Sequence, residues 1–391
     1  MNIENLADKY RNYVINLRRE FHRFPEESWK EERTSRFIKE ELKKIGIEFE
    51  VAAKTGIVAT LRGKKSGKVV ALRVDMDAIG VKEATEAEFA SENEGIMHAC
   101  GHDGHMAMLI GAAKILKEIQ NEWDGTIKFI FQPAEEVGEG AAKIIEEGFL
   151  DDVEGAFGIH LWSDLPCGKV SVQDGARMAC ADIFKIRIKG KGGHGSLPHQ
   201  GVDAVVAASS IVLNLQTAVS REISPMEPAV VSVGLMRAGT RFNVIANEAI
   251  LEGTTRCFNN EIREKFPKII ERICRNIAEG LRAETEVEYI FATPITINDK
   301  ECSYIARGAL EKIAGTDAIA LMDKSTATED IGKYFEKVPG VLAFVGVRNE
   351  EKGAVYPQHH EKYTIDEDAL KIGTALYAQY AVDFLKYKKG Q

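Results

Sequence analysis

Three of the chain's nine histidines fall within the nine residues Met97 to His105, MHACGHDGH, beside a cysteine. Thiolate sulfur and imidazole nitrogen are the donors that borderline-soft divalent ions select, so this cluster points to a metal site at Cys100 and His102. The plainer alternative is a glycine-containing turn whose histidines are polar surface. Asp103 is expected to cap a helix over Met106 to Ile119, aiming Cys100 and His102 into the space above the helix N-terminus.

Further candidates lie where short apolar runs end. In open α/β sheets ligands bind outside the carboxyl ends of strands. The run Val69 to Val74 leads to Asp75 and Asp77, Ile127 to Phe131 leads through Gln132-Pro133-Ala134 to Glu135 and Glu136, and Ala156 to Ile159 leads to His160. Taken singly, Glu135 and Glu136 read as a solvated surface pair and His160 as a satisfied core histidine. At strand ends facing a histidine cluster the weight shifts, because adjacent carboxylates let one bind a metal while the other stays free as a base. His359 and His360, in the polar loop Gln358 to Lys362, read as solvated from composition alone. The glycine-rich run KGKGGHGSLPHQGVDA, Lys189 to Ala204, holds His194 and His199 and reads either as a loop reaching a ligand or as a plain strand-to-helix turn.

The elements that must position these residues form two interleaved patterns. Up to about residue 178 amphipathic helices alternate with short strands, an α/β pattern. From 179 to 293 the order becomes strand, helix, strand, strand, helix, strand (βαββαβ), a split unit able to fold alone. The α/β pattern returns over 294–391, with a strand at Val341 to Val347 and a terminal helix from about Asp366 to Leu385, so a second domain is inserted into the first. At 391 residues, with 45% hydrophobic and 28% charged residues, the chain is long enough for two or three domains and has no disordered or fibrous composition. Its net charge of −9, with basic residues dispersed, excludes a nucleic-acid or anionic-membrane footprint. No apolar run approaches a membrane span or a signal-peptide core, and the six scattered cysteines lack any C-x-x-C pair, so the expected location is the cytoplasm and most of the cysteines are expected to be buried and inert.

LRREFHRFPE, ALRVDMDAI, GIMHACGHDGHMAML, FIFQPAEEVGEGA, FGIHLW, GKGGHGSLPHQGVDA, FNVIANEAILEGTTR, TATEDIGKYF and VYPQHHEKYTIDEDAL, spread from end to end, resemble the aminoacylase, hippurate hydrolase and auxin-conjugate hydrolase group of metallopeptidase-like amidohydrolases, which also contains carboxypeptidases. The resemblance implies a zinc-peptidase-like metal-binding α/β domain with an inserted ferredoxin-like lid that pairs subunits. It implies two divalent metal ions held by Cys100, His102, Glu136, His160 and His359. His359 is preferred to His360 because the family's ligand histidine stands four residues before an aromatic, here Tyr363. By the same resemblance Glu135 is the general base, Asp75 orients the site, His194 reaches the partner subunit's centre to stabilise an oxyanion, and Asn243 and Arg256 bind substrate. The chain departs from the family's DALPI at Asp77-Ala78-Ile79-Gly80-Val81, from NVIP at Asn243-Val244-Ile245-Ala246, and from a glycine before AED at Ala327-Thr328-Glu329-Asp330. None of these positions is a proposed ligand.

The chemistry so implied is hydrolysis of the amide of an N-acyl amino acid by metal-activated water, with Glu135 moving the proton. Mixed sulfur, nitrogen and oxygen ligation suits zinc, with manganese, cobalt and nickel as alternatives. The same machinery serves a carboxypeptidase or dipeptidase. A non-catalytic metal-binding module is the rival from another class, and Glu135 argues against it, since a sensor needs no base.

Overall fold

The computed structural model describes residues 2–388 and divides into two compact units. The first holds the chain up to Gly175, Ile297–Asp323, and everything described from Glu329 on; the second holds Ala176–Thr296 together with Lys324–Thr328. The short second stretch is a return that the βαββαβ reading did not assign. Among the described residues no helix is long and apolar enough to cross a membrane.

The first unit is built on a seven-stranded mixed sheet, in the order Glu48–Ala52, Gly56–Arg62, Thr126–Gln132, Val69–Asp75, Gly155–Pro166, Gly340–Arg348, Val170–Ser171. Four central strands run parallel, so the ends of Val69–Asp75 and Thr126–Gln132 lie on one side of the sheet, Asp75 opposite Gln132. These strands are buried along nearly their whole length, as parallel strands covered by helices must be. Ile3–Arg23, His102–Glu118 and Ala369–Lys386 pack on one another. His102–Glu118 is buried on nearly every side, so its apolar residues show no single stripe. Its close approach to its neighbours depends on Gly111, where a Cβ would fall 2.5 Å from Val14 Cγ2 and 2.9 Å from Thr374 Cγ2.

Two sequence expectations change here. The helix starts at His102 rather than Met106, and Asp103 does not cap it. Gly101 takes the preceding position at φ 93°, a left-handed conformation that is cheap only for glycine, and a Cβ there would meet the Tyr363 hydroxyl at 2.9 Å. Asp103, in the first turn, points inward to Arg18 Nε at 2.7 Å and His22 Nδ1 at 2.8 Å, a buried pairing that the positive end of the helix favours. His160 likewise does not end its strand. Pairing with Gly340–Arg348 carries Gly155–Pro166 onward, with Phe344 opposite His160 and Arg348 opposite Pro166. On the other edge, pairing with Val69–Asp75 stops at Arg73 opposite Gly158, which leaves the Leu161 N–H for a side chain.

The second unit is a four-stranded antiparallel sheet, in the order Ala229–Ala238, Glu248–Cys257, Ala181–Lys189, Glu284–Thr293, with the helices Ala204–Glu222 and Asn260–Gly280 packed on it. This is the βαββαβ unit the sequence implied. Ala181–Lys189 alternates strictly, burying Asp182, Phe184, Ile186 and Ile188 and exposing Ile183, Lys185 and Arg187, the period of two that a half-covered sheet requires. Asp203 caps its helix, accepting from Val205 N at 2.9 Å.

Candidate metal centre

The loop after Val69–Asp75 supplies the frame. Asp77 accepts the Glu135 N–H at Oδ1 (3.0 Å) and the Glu136 N–H at Oδ2 (3.0 Å), while Ser28 Oγ donates to Oδ2 at 2.6 Å. Its backbone carbonyl lies 2.8 Å from His102 Nδ1. One short residue therefore positions two carboxylates and one imidazole. The strand Thr126–Gln132 ends at Pro133, and Ala134 turns the chain at φ 54° with its N–H held by Glu31 Oε1 at 3.0 Å.

Hydrogen bonds fix which imidazole nitrogens remain open. The Asp77 carbonyl takes the His102 Nδ1 proton, and the Leu161 carbonyl takes that of His160 Nδ1 at 2.7 Å. With Nδ1 so engaged, Nε2 is the nitrogen that each ring has left to offer a metal. His105 differs. The Leu161 N–H donates to its Nε2 at 2.9 Å, so its proton is on Nδ1 and goes to Asp75 Oδ1 at 2.6 Å. Both of its nitrogens are occupied, and it serves as a support.

Among the described residues, two of the groups in which ligand atoms converge share one sulfur, and His102 and Glu136 also meet Glu135. Cys100, His102 and His160 form the first, with Cys100 Sγ 3.6 Å from His160 Nε2; Cys100, Glu136 and His359 form the second, with His359 Nε2 3.5 Å from Glu136 Oε1. His359 stands at φ 66° and its N–H donates to Ala99 O at 2.8 Å, which ties this distant loop to the MHACGHDGH segment. His360 stacks on Tyr356 instead, with ring centroids 4.5 Å apart.

The electrostatics call for cations. Asp75, Glu135, Glu329 and Asp330 lie around the buried Arg73, which reaches Asp75 at 2.9 Å, Glu329 at 3.0 Å and Asp330 at 2.6 Å, and Asp77 and Glu136 add two further acids beside His102. Burial lowers the pKa of His102, but Asp75, Glu136 and Asp77 outweigh it and lift it to about 9. Burial, then Glu136 and Glu135, push the Cys100 thiol well up, so a thiolate there needs positive charge beside it. His102 Nε2 is buried without a hydrogen-bond partner and Glu136 Oε1 has only the 3.5 Å contact to His359 Nε2, a costly state for polar atoms that an ion between the groups would relieve. The residues fit two divalent ions. Glu135 faces Glu329 and Asp330, and burial followed by Glu329 and Glu136 pushes its pKa well up.

His194, Asn243 and Arg256 all belong to the second unit. His194 is exposed on the short strand Gly193–His194, opposite Val244, and its Nδ1 accepts the Ser196 N–H at 3.1 Å. Asn243 is adjacent, its carbonyl accepting the Gly195 N–H at 2.9 Å. Arg256 stands half-buried on Glu248–Cys257 opposite Val230. Asp77, Arg73 and His105 had no assigned role in the sequence reading. A second acid in the D-x-D at a strand end was the available signal for Asp77; nothing local distinguishes Arg73.

The profile of Peptidase family M20/M25/M40 matches residues 71–383. The chain belongs to this family. It is 38% identical over 387 residues to thermostable carboxypeptidase 2 of Saccharolobus solfataricus, covering 98% of each chain. It is 39% identical over 384 residues to N-acetylcysteine deacetylase of Bacillus subtilis, covering 97% of this chain and 99% of the relative. Over 301 residues, 76% of this chain and 81% of the relative, it is 44% identical to N-acyl-L-amino acid amidohydrolase of Geobacillus stearothermophilus. Among solved structures, a Bacillus subtilis M20 peptidase described as dinuclear-metal-binding superposes with a TM-score of 0.87 at 36% identity, over 97% of this chain and 99% of that one. As a member of family M20, the chain is a metal-dependent hydrolase of carbon–nitrogen bonds.

Proposed function

We propose that this M20 hydrolase removes the acyl group from N-acyl amino acids, releasing a carboxylic acid and a free amino acid. The observation that carries the reading is the pair of donor groups meeting at Cys100, with Glu135 beside the Glu136 carboxylate and within reach of His102, close enough to serve a water held there. Relatives named for deacylating N-acyl amino acids support the substrate class.

In this reading Cys100 would serve both ion sites, with His102 and His160 completing one and Glu136 and His359 the other. When bound, two divalent ions, zinc being the best match to this donor set, lower the pKa of a water and polarise the amide carbonyl. Glu135 takes the water's proton as it attacks and returns that proton to the departing nitrogen. A carboxyl whose pKa is already raised by burial holds a proton well, and bound cations pull it back toward the range in which it can also release one. Asp75 holds His105 through its Nδ1 and stands 3.8 Å from His102 Nε2, so it orients the site from beside the His102 donor atom. His194, supplied by a second copy of the chain in a homodimer, donates from Nε2 to the tetrahedral oxyanion, and Asn243 and Arg256 hold the substrate.

Glu135→Gln is expected to retain its bound metal, measured by elemental analysis, while turnover falls by at least about 100-fold. Near-normal turnover would remove Glu135 from the mechanism. Similarity to a carboxypeptidase over 98% of the chain favours short peptides as the second reading. Side-by-side assays of N-acetyl, N-benzoyl and peptidyl substrates of one amino acid separate the two, and a preference for peptides would overturn the deacylase assignment.

A further inference from the structure

Cys180 and Cys257 are far apart in sequence, yet their sulfurs lie 3.5 Å apart inside the second unit, and both residues are fully buried. The strand register explains the encounter. Asp182 is opposite Thr255 in the antiparallel pair, so two residues on, Cys180 faces Cys257, and the Cys180 N–H donates to the Cys257 carbonyl at 3.0 Å. Directly opposed residues have Cβ atoms about 4.5–5.5 Å apart, close to the roughly 3.5–4.5 Å of a disulfide. Joining the sulfurs at about 2.05 Å requires them to close by roughly 1.5 Å, within reach of small side-chain rotations.

We infer that Cys180 and Cys257 form a reversible disulfide, a modification site that cinches the base of the segment carrying His194, Asn243 and Arg256. All three lie between the two cysteines in sequence. The two thiols share one hydrogen bond in which either can donate, so either can begin the reaction, Cys257 for instance. With a peroxide as oxidant, the Cys257 thiolate attacks one peroxide oxygen and gives a sulfenic acid and hydroxide. Cys180, losing its proton, then attacks the Cys257 sulfur, and the sulfenic oxygen leaves as the second hydroxide. The two thiol protons convert both hydroxides to water. Two thiols are thus oxidised to one disulfide as one peroxide is reduced to two waters, and a dithiol reverses the change by exchange.

The test uses the metal-loaded full chain, reduced and then exposed to a small excess of hydrogen peroxide, with remaining thiols alkylated and the protein mapped by peptide mass spectrometry. The expected product is a linked peptide pair containing Cys180 and Cys257, lighter by two hydrogens and restored by dithiothreitol. Its thermal midpoint should rise by several degrees over the reduced protein, a rise absent in Cys180→Ser. Alkylated or separately oxidised Cys180 and Cys257, found once the less buried Cys100 or Cys167 has reacted, would overturn the inference. The mapping of the unsubstituted chain decides the matter even where a variant folds poorly.

Discussion

Asp77 shows how much of the centre depends on a residue that neither touches substrate nor needs to bind metal. Its carboxylate accepts the N–H groups of both Glu135 and Glu136, and its carbonyl fixes the His102 tautomer. Asp77→Ala strands two peptide N–H groups beside the ions, each at about 1–3 kcal/mol if unsatisfied. Because support of this kind tunes ligands, metal affinity is expected to fall about 10–100-fold, measured by calorimetric titration of the metal-free protein. Unchanged affinity would show that the glutamate loop holds itself. At this scale the sequence conveyed donor types and missed donor occupancy. Cys100 and His102 stood out by density, and Glu135 and Glu136 by adjacency at a strand end. His105, equally dense in the motif, is consumed by Asp75 and Leu161, and that accounting requires the fold. His359 looked like a solvated loop residue until its backbone bond to Ala99 placed it, and family resemblance alone had singled it out.

Elements were legible where one physical cue dominates. The strict alternation in Ala181–Lys189 and the βαββαβ order come directly from hydrophobic period. Boundaries failed where tertiary contacts compete with a local signal. Asp103 has the chemistry of a cap, but Arg18 and His22 claim it, and Gly101 turns the chain in its place. His160 read as a strand end because the apolar run stops there, whereas the pairing with Gly340–Arg348 extends the strand to Pro166. The helix His102–Glu118 carries the first donors on a rigid base, and Gly111 sets how closely that base is packed. Gly111→Val is expected to destabilise the chain by about 1–3 kcal/mol through overpacking against Val14 and Thr374. A urea-unfolding midpoint equal to that of the unsubstituted chain would show that these helices separate freely.

For the molecule as a whole, the division of labour is between a unit that holds all five proposed ligands and an inserted unit that holds His194, Asn243 and Arg256. If His194 serves the centre of a second copy, two inactive variants, His194→Ala and Glu135→Gln, should recover partial activity when mixed and allowed to exchange subunits. Heterodimers that form yet stay inactive would confine each site to its own chain. The insertion was readable because the order of strands and helices changes at its edges, while the stretch Lys324–Thr328 joins the second unit through contacts such as Met178 with Ser325 that no local pattern announces.

The sharing of Cys100 by both donor groups has a toxicological side. Thiophilic ions such as mercury or cadmium compete for sulfur far more strongly than for carboxylate or imidazole. A protein with two separate metal pockets would lose them one at a time; here a single captured sulfur takes a member from both, so poisoning should be complete once Cys100 alone is occupied, whatever other thiols such as Cys167 also take up.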